Sequence, residues 1–200
     1  MDAIMTMGRG LVYLMGPSGS GKDTLLRLLP GLLPMNAQVR IAQRSITRPA
    51  DGEASETVTP DEFQRRAAGG EFAMHWQNHG LSYGIGIVIE HWLAQGDTVI
   101  VNGSREYLPH AHAHYPGLTA VSITVKPQAL AARLRRRARE NDADIQARLA
   151  RAQTVFAIPT GCQHVQIAND DAPIVAARAL AELVKRVRSA SPECALKSGR

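Results

Sequence analysis

The run Gly16-Pro17-Ser18-Gly19-Ser20-Gly21-Lys22-Asp23-Thr24 has the residue types and spacing to grip an anion. Its glycines free the backbone to curl until successive N–H groups converge on one point, where a side chain would block the approach. Lys22 adds a mobile point charge that can follow a phosphoryl group through transfer. Leu11–Met15 ahead of it is an unbroken apolar strand, and Leu25–Leu29 behind it opens a helix whose positive end faces the loop. Strand, glycine-rich turn and helix form the setting that a nucleotide phosphate loop requires. The eighth position, ordinarily Ser or Thr, is Asp23, and Thr24 follows it. A hydroxyl there usually ligands Mg²⁺. Asp23 reads either as a substituted metal contact, with Thr24 as second choice, or as a carboxylate that favours the helix N-terminus.

Two hundred residues with 44% apolar content suit one compact domain with small inserted lobes. The net charge of +5 concentrates in one arginine-rich segment without interleaved aromatic residues, so a phosphate-rich small ligand explains it as well as nucleic acid does. Two cysteines, Cys162 and Cys194, have no C-x-x-C spacing and point to a reducing cytoplasm. No run has the length of a membrane span or a signal peptide.

Along the chain, residues 1–9 read as a loose leader and residues 37–43 as a second strand. Arg44 and Arg48 follow that strand, at the carboxyl edge where open α/β sheets bind ligands, and their planar forks suit a second phosphate. Thr59-Pro60-Asp61-Glu62 starts a helix with a capping box. Residues 44–85 read as a small inserted lobe, with strands at Glu71–Trp76 and Leu81–Ile85. Trp76 is read as packing, since nothing aromatic surrounds it in sequence, and His75 as a substrate donor or an interior histidine. Residues 86–95 form a helix. Thr98–Val101 is a buried parallel strand that ends in Asn102-Gly103-Ser104-Arg105. His110, His112 and His114 alternate, but a helical setting scatters them and argues against a metal site. Strands at 118–125 and 164–168 and a helix at 173–187 complete a core of residues 10–43, 86–126 and 152–188. Residues 127–151, rich in arginine, form a two-helix lid over polyphosphate, and 189–200 a frayed tail.

Together these motifs resemble the guanylate kinase-like branch of the P-loop kinases over nearly all of residues 11–187. Gly16–Lys22 is similar to the family's loop, Thr47-Arg48-Pro49 to the element that binds the acceptor's phosphate, and Phe72…Tyr83-Gly84 to the acceptor lobe. The resemblance implies an α/β fold with a parallel sheet sandwiched by helices, an acceptor lobe at about 44–85 and a helical lid at about 127–151. It implies lid arginines at Arg137 and Arg148, and it puts Asn169 and Asp170 near the adenine ring. Departures argue against GMP as acceptor. The family's guanine-reading Glu corresponds to Met74, the Asp after its fourth strand is Asn102, and its tyrosine and second arginine after Thr-Arg have no counterpart among Ala50, Asp51 and Ser55.

Gly21–Asp23, Ile46–Ala50, His75–Ile85 and Val101–Arg105 resemble instead the ribose 1,5-bisphosphate phosphokinases of phosphonate breakdown. That resemblance implies transfer of the ATP γ-phosphoryl group to the sugar's anomeric phosphate, giving 5-phosphoribosyl 1-diphosphate. Lys22, Arg137 and Arg148 would attend the transferring group, with Mg²⁺ bridging β- and γ-oxygens. Arg48 and Tyr83 would hold the acceptor's phosphate, with Arg44, His75, Asn102, Ser104 and Arg105 around it. A nucleoside monophosphate kinase, a kinase-like binding module without catalysis and nucleic-acid binding through the arginine helices are the competing readings. Oligomeric state is not set by the sequence.

Overall fold

The computed structural model describes residues 7–48, 55–136 and 142–189. In chain order, β1 (Leu11–Met15) leads through the glycine-rich loop to α1 (Lys22–Leu28) and a 3-10 turn at Leu29–Leu32. Next come β2 (Val39–Ile41), β3 (Arg44–Ile46), β4 (Ser55–Thr57), α2 (Pro60–Ala68), β5 (Phe72–Asn78) and β6 (Leu81–Gly86). α3 (Val88–Ala94), β7 (Thr98–Asn102), α4 (Leu108–His114) and β8 (Thr119–Thr124) follow. α5 (Pro127–Arg136), α6 (Asp142–Gln153), β9 (Gln163–Ala168) and α7 (Pro173–Ser189) complete the chain.

The first sheet has the order β2-β7-β1-β8-β9, and every pairing in it is parallel. All five residues of β1 are buried because both faces are covered. Leu11, Tyr13 and Met15 meet Ile89 of α3 and Leu108 and Ala111 of α4. Val12 and Leu14 meet Leu25 of α1 and Ala177, Leu180 and Val184 of α7. The period-2 alternation of one strand therefore feeds two cores, and the expected helix-sheet-helix sandwich is what forms.

A second sheet, β4-β3-β6-β5, is built from residues 44–86. β3 runs parallel to β4 and antiparallel to β6. The β5–β6 hairpin turns through His79 (φ 51°) and Gly80 (φ 73°), the paired left-handed geometry of a tight hairpin. On its outer face Val58, Phe63 of α2 and Phe72 form a separate small core. Thr59 caps α2 by accepting from Glu62 N at 3.2 Å, as the sequence predicts, with Pro60 at the first helical position.

Glu56 ties β4 to this lobe, accepting from Arg66 Nη1 at 2.9 Å and Ser45 Oγ at 2.7 Å. The Arg66 hydrogen bond, then that of Ser45, holds its carboxyl below the ordinary range. A depressed carboxyl contributes stability above its unfolded pKa and loses it as pH falls through the folded value, here below about pH 4.3. Glu56→Gln is expected to lessen the acid loss of Tm, as melts at pH 7 and pH 3.5 would report.

Two expectations change. The leader is anchored from Met7 onward, since Gly117 N donates to Met7 O at 2.8 Å and Leu11 N to Gly8 O at 2.8 Å. The second strand shrinks to three residues, since β2 is an edge strand with β7 as its sole partner among the described residues. His110, His112 and His114 lie on α4 as expected, and no metal-binding cluster of His, Cys, Asp or Glu forms among the described residues. No described helix is long and apolar enough to cross a membrane.

Candidate active site

The phosphate loop leaves β1 through three glycines with positive φ, Gly16, Gly19 and Gly21. Neither end of the loop has room for a side chain. A Cβ on Gly16 would lie 2.5 Å from Ile123 O, and one on Gly21 would lie 2.5 Å from Asn169 Nδ2. Lys22 Nζ donates to Gly16 O at 2.8 Å and Pro17 O at 3.2 Å, so its ammonium is drawn back over the loop. Ser20 is fully buried, and its Oγ has no hydrogen-bond partner among the described residues.

Asn169 and Asp170, expected near the adenine ring, do not line the cleft at the loop's mouth. Asn169 is only 2% exposed and donates from Nδ2 to Ser20 O at 2.7 Å, because the end of β9 meets the loop where a buried carbonyl requires a donor. Asp170 accepts from Lys126 N at 2.6 Å at the entrance to α5. Asn169 thus supports the loop from behind. Asn169→Ala strands the Ser20 carbonyl and is expected to cost about 1–3 kcal/mol of stability. It should raise KM for ATP more than it lowers kcat, which denaturant titration and steady-state kinetics would check.

Across a cleft of about 680 Å³ stands the inserted lobe, with Arg44, Arg48, Trp76 and Tyr83 on its wall. Trp76 packs against the core, as the sequence predicts, but it has aromatic neighbours that the sequence did not show. It stacks on Tyr83 (5.6 Å, 8°) and on Tyr107 (5.3 Å, 27°), and Tyr107 stacks on His110 (5.5 Å, 13°). The Arg44 guanidinium caps this series, 5.1 Å from the Tyr83 ring centre. His75 is corrected. Neighbours on a strand face opposite sides, so with Trp76 in the cleft, His75 is exposed on the outer face 6.4 Å from the Phe72 ring.

The floor is the loop after β7. Tyr13 Oη donates to Ser104 O at 2.9 Å and accepts from Ser104 N at 3.0 Å, so a buried ring of the central strand holds this turn on both sides. Burial pushes the Tyr13 phenol far above its ordinary range and keeps it a neutral donor. Asn102, 5% exposed, donates from Nδ2 to Asp23 Oδ1 at 2.9 Å and fixes that carboxylate beside the phosphate loop. Thr24 does not line the cleft, because adjacent helical positions differ by 100° and Asp23 takes the facing one. Arg105 borders the cleft but donates to Arg151 O at 3.0 Å and Ala152 O at 3.3 Å, so its guanidinium braces the C-terminal end of α6. Ser104 Oγ bonds the Glu106 carboxylate.

α5 and α6 close together over Leu130, Leu134 and Ile145 and bring Arg148 Nη1 to 2.7 Å from Ser18 Oγ. Arg137 lies outside the described residues. Two further cations were missed by sequence reasoning. Arg151 follows Arg148 on the same helical face and lines the cleft, an i+3 spacing that would have found it. Arg133 holds a buried Nη1 beside Gly21 that lacks a hydrogen-bond partner among the described residues. Glu106 lines the cleft with no sequence signal of its own.

No protein-family model matches the chain. Among solved structures it is similar to a guanylate kinase from Anaplasma phagocytophilum, with TM-score 0.57 and 17% identity over 89% of this chain and 85% of that one, which supports the shared fold. Its sequence is similar to ribose 1,5-bisphosphate phosphokinase PhnN of Achromobacter xylosoxidans, 52% identical over 89% of this chain and 93% of that protein. The PhnN proteins of Thiobacillus denitrificans (50% identity, 87% of this chain, 92% of that protein) and Pantoea vagans (48%, 89% and 94%) are similarly close. With about half its residues shared along nearly the whole length of these proteins, the chain belongs to the PhnN ribose 1,5-bisphosphate phosphokinase family.

Proposed function

We propose that this protein transfers the γ-phosphoryl group of ATP to the anomeric phosphate of ribose 1,5-bisphosphate, forming 5-phosphoribosyl 1-diphosphate and ADP. One observation carries the reading: a single cleft is bounded by a glycine-rich phosphate loop on one wall and by Arg44 and Arg48 on the other, which suits two phosphorylated molecules meeting end to end. The base-reading function of a nucleotide kinase has no support in this lobe. Met74 stands where that carboxylate would be and is 1% exposed, sealed into the core beside Ile85.

An oxygen of the acceptor phosphate attacks the γ-phosphorus, the bond to the β–γ bridging oxygen breaks, and ADP departs with the electron pair. The attacking oxygen is already ionised at neutral pH, so the chemistry needs alignment and charge neutralisation rather than a general base. The loop amides and Lys22 hold the β- and γ-phosphates, and Arg148, with Arg137, brings positive charge onto the transferring group. Arg48, Arg44 and Tyr83 receive the acceptor's phosphate. Asp23, oriented by Asn102, fits a hard cation that favours oxygen ligands and retains water. Mg²⁺ held there would neutralise charge on the phosphate oxygens. The cytoplasm, which supplies ATP, is the compartment that suits this chemistry.

An acceptor panel tests the reading. Ribose 1,5-bisphosphate, GMP and AMP are each incubated with ATP, ADP release is followed, and the product is identified by ³¹P NMR. A diphosphate on the sugar is expected, with kcat/KM for GMP lower by about 10⁴ or more. Comparable turnover of GMP would overturn the choice of acceptor.

A further inference from the structure

The cleft wall carries two carboxylates, Asp23 and Glu106, among its cations. Asp23 is accounted for by its place beside the phosphate loop and its bond to Asn102. Glu106 is not. A carboxylate repels the phosphates that the surrounding arginines attract, and with Ser104 Oγ on one oxygen it still has acceptor positions open to a donor on the ligand.

Its position indicates which donor. Arg105, on one side of it in the chain, braces the lid through Arg151 O and Ala152 O. Tyr107, on the other side, stacks on Trp76 of the lobe. Glu106 therefore lies between the lid, which attends the donor nucleotide, and the lobe, which receives the acceptor's phosphate. What lies between the two phosphates of the acceptor is its sugar ring. The side chain is also held in place: Ser104 Oγ bonds its carboxylate and accepts from Glu106 N at 3.3 Å. Burial works against its charge, but Ser104, the backbone and Arg105 outweigh that and hold the carboxyl below its ordinary range. It thus meets the ligand as an anion, a pure acceptor with two oxygens.

Resting on the sugar-phosphate reading above, we propose that Glu106 accepts hydrogen bonds from the vicinal hydroxyl groups of the acceptor's ring and so selects ribose over deoxy-sugars. Ser104 positions that carboxylate. Charge-assisted bonds of this kind discriminate strongly, because the analogue lacking the hydroxyl leaves a desolvated acceptor unpaired.

The test compares ribose 1,5-bisphosphate with 2-deoxyribose 1,5-bisphosphate in the wild type, Glu106→Ala and Glu106→Gln. The wild type is expected to favour ribose by about 10- to 100-fold in kcat/KM. Glu106→Ala should lose that factor on ribose, change little on the deoxy-sugar and keep its KM for ATP, with Glu106→Gln in between. A variant that loses equally on both sugars overturns the proposal in favour of a structural role. If the preference that collapses is instead ATP over 2′-deoxy-ATP, the carboxylate reads the donor and the proposal also fails. Wild-type enzyme that turns over ribose 1,5-bisphosphate without preferring it refutes the Glu106 role alone, whereas turnover of neither sugar refutes the acceptor reading with it.

Discussion

Lys22→Met is expected to leave the fold intact and to lower kcat by about 100- to 1000-fold. The ammonium donates to the carbonyls of Gly16 and Pro17, on a loop that borders an open cleft. Water can replace the lost donor at that surface, so the cost falls on catalysis rather than stability. In the reaction the same ammonium must leave those carbonyls for the β- and γ-phosphates, a move that its flexible stem permits. Lys22→Arg should not rescue turnover, since a planar fork in so tight a loop cannot take the place of a compact charge. Circular dichroism melts together with single-turnover phosphoryl transfer separate the two effects. Wild-type rates in Lys22→Met would remove the residue from the chemistry.

Gly103→Ala is expected to destabilise the protein by about 3 kcal/mol, the upper range of overpacking, although it adds one methyl group. That methyl would lie 2.1 Å from Tyr13 Cζ and 2.4 Å from its Oη. Neither partner has freedom to yield. Tyr13 is fully buried on a strand paired on both sides, and Gly103 N is bonded to Leu14 O at 2.8 Å. Any relief must break the two hydrogen bonds between Tyr13 and Ser104, which also set the turn carrying Ser104, Arg105 and Glu106. Adding Tyr13→Leu should recover part of the loss, with a coupling above about 0.5 kcal/mol in a double-mutant cycle by urea denaturation. Gly103→Ala as stable as the wild type would mean that strand and turn separate readily.

The phosphate loop was legible because its requirements are local: the residues that form it are contiguous, and glycine spacing together with flanking strand and helix patterns states them directly. The cap of α2 and the helical placement of His110, His112 and His114 were legible for the same reason. What escaped the sequence depends on non-local pairing. Which side of β5 faces the cleft follows from its register on β6 and from the irregularity between Phe72 and Met74, and this put Trp76 rather than His75 on the cleft wall. The rings around Trp76 come from β6 and from the turn before α4, far apart in the chain. Asn169 was recognised as belonging near the nucleotide, but whether its amide faces ligand or loop is decided by how β9 meets Ser20.

The column of rings from Arg44 through Tyr83, Trp76 and Tyr107 to His110 joins the lobe to the main body face to face. Flat aromatic surfaces glide past one another with little loss, whereas pulling them apart forfeits about 0.5–1.5 kcal/mol per pair. Rearrangement of the two halves around their cargo is therefore expected to resemble a sliding door rather than a jaw. Since Trp76 is inside that column, its emission would register each slide without an added label.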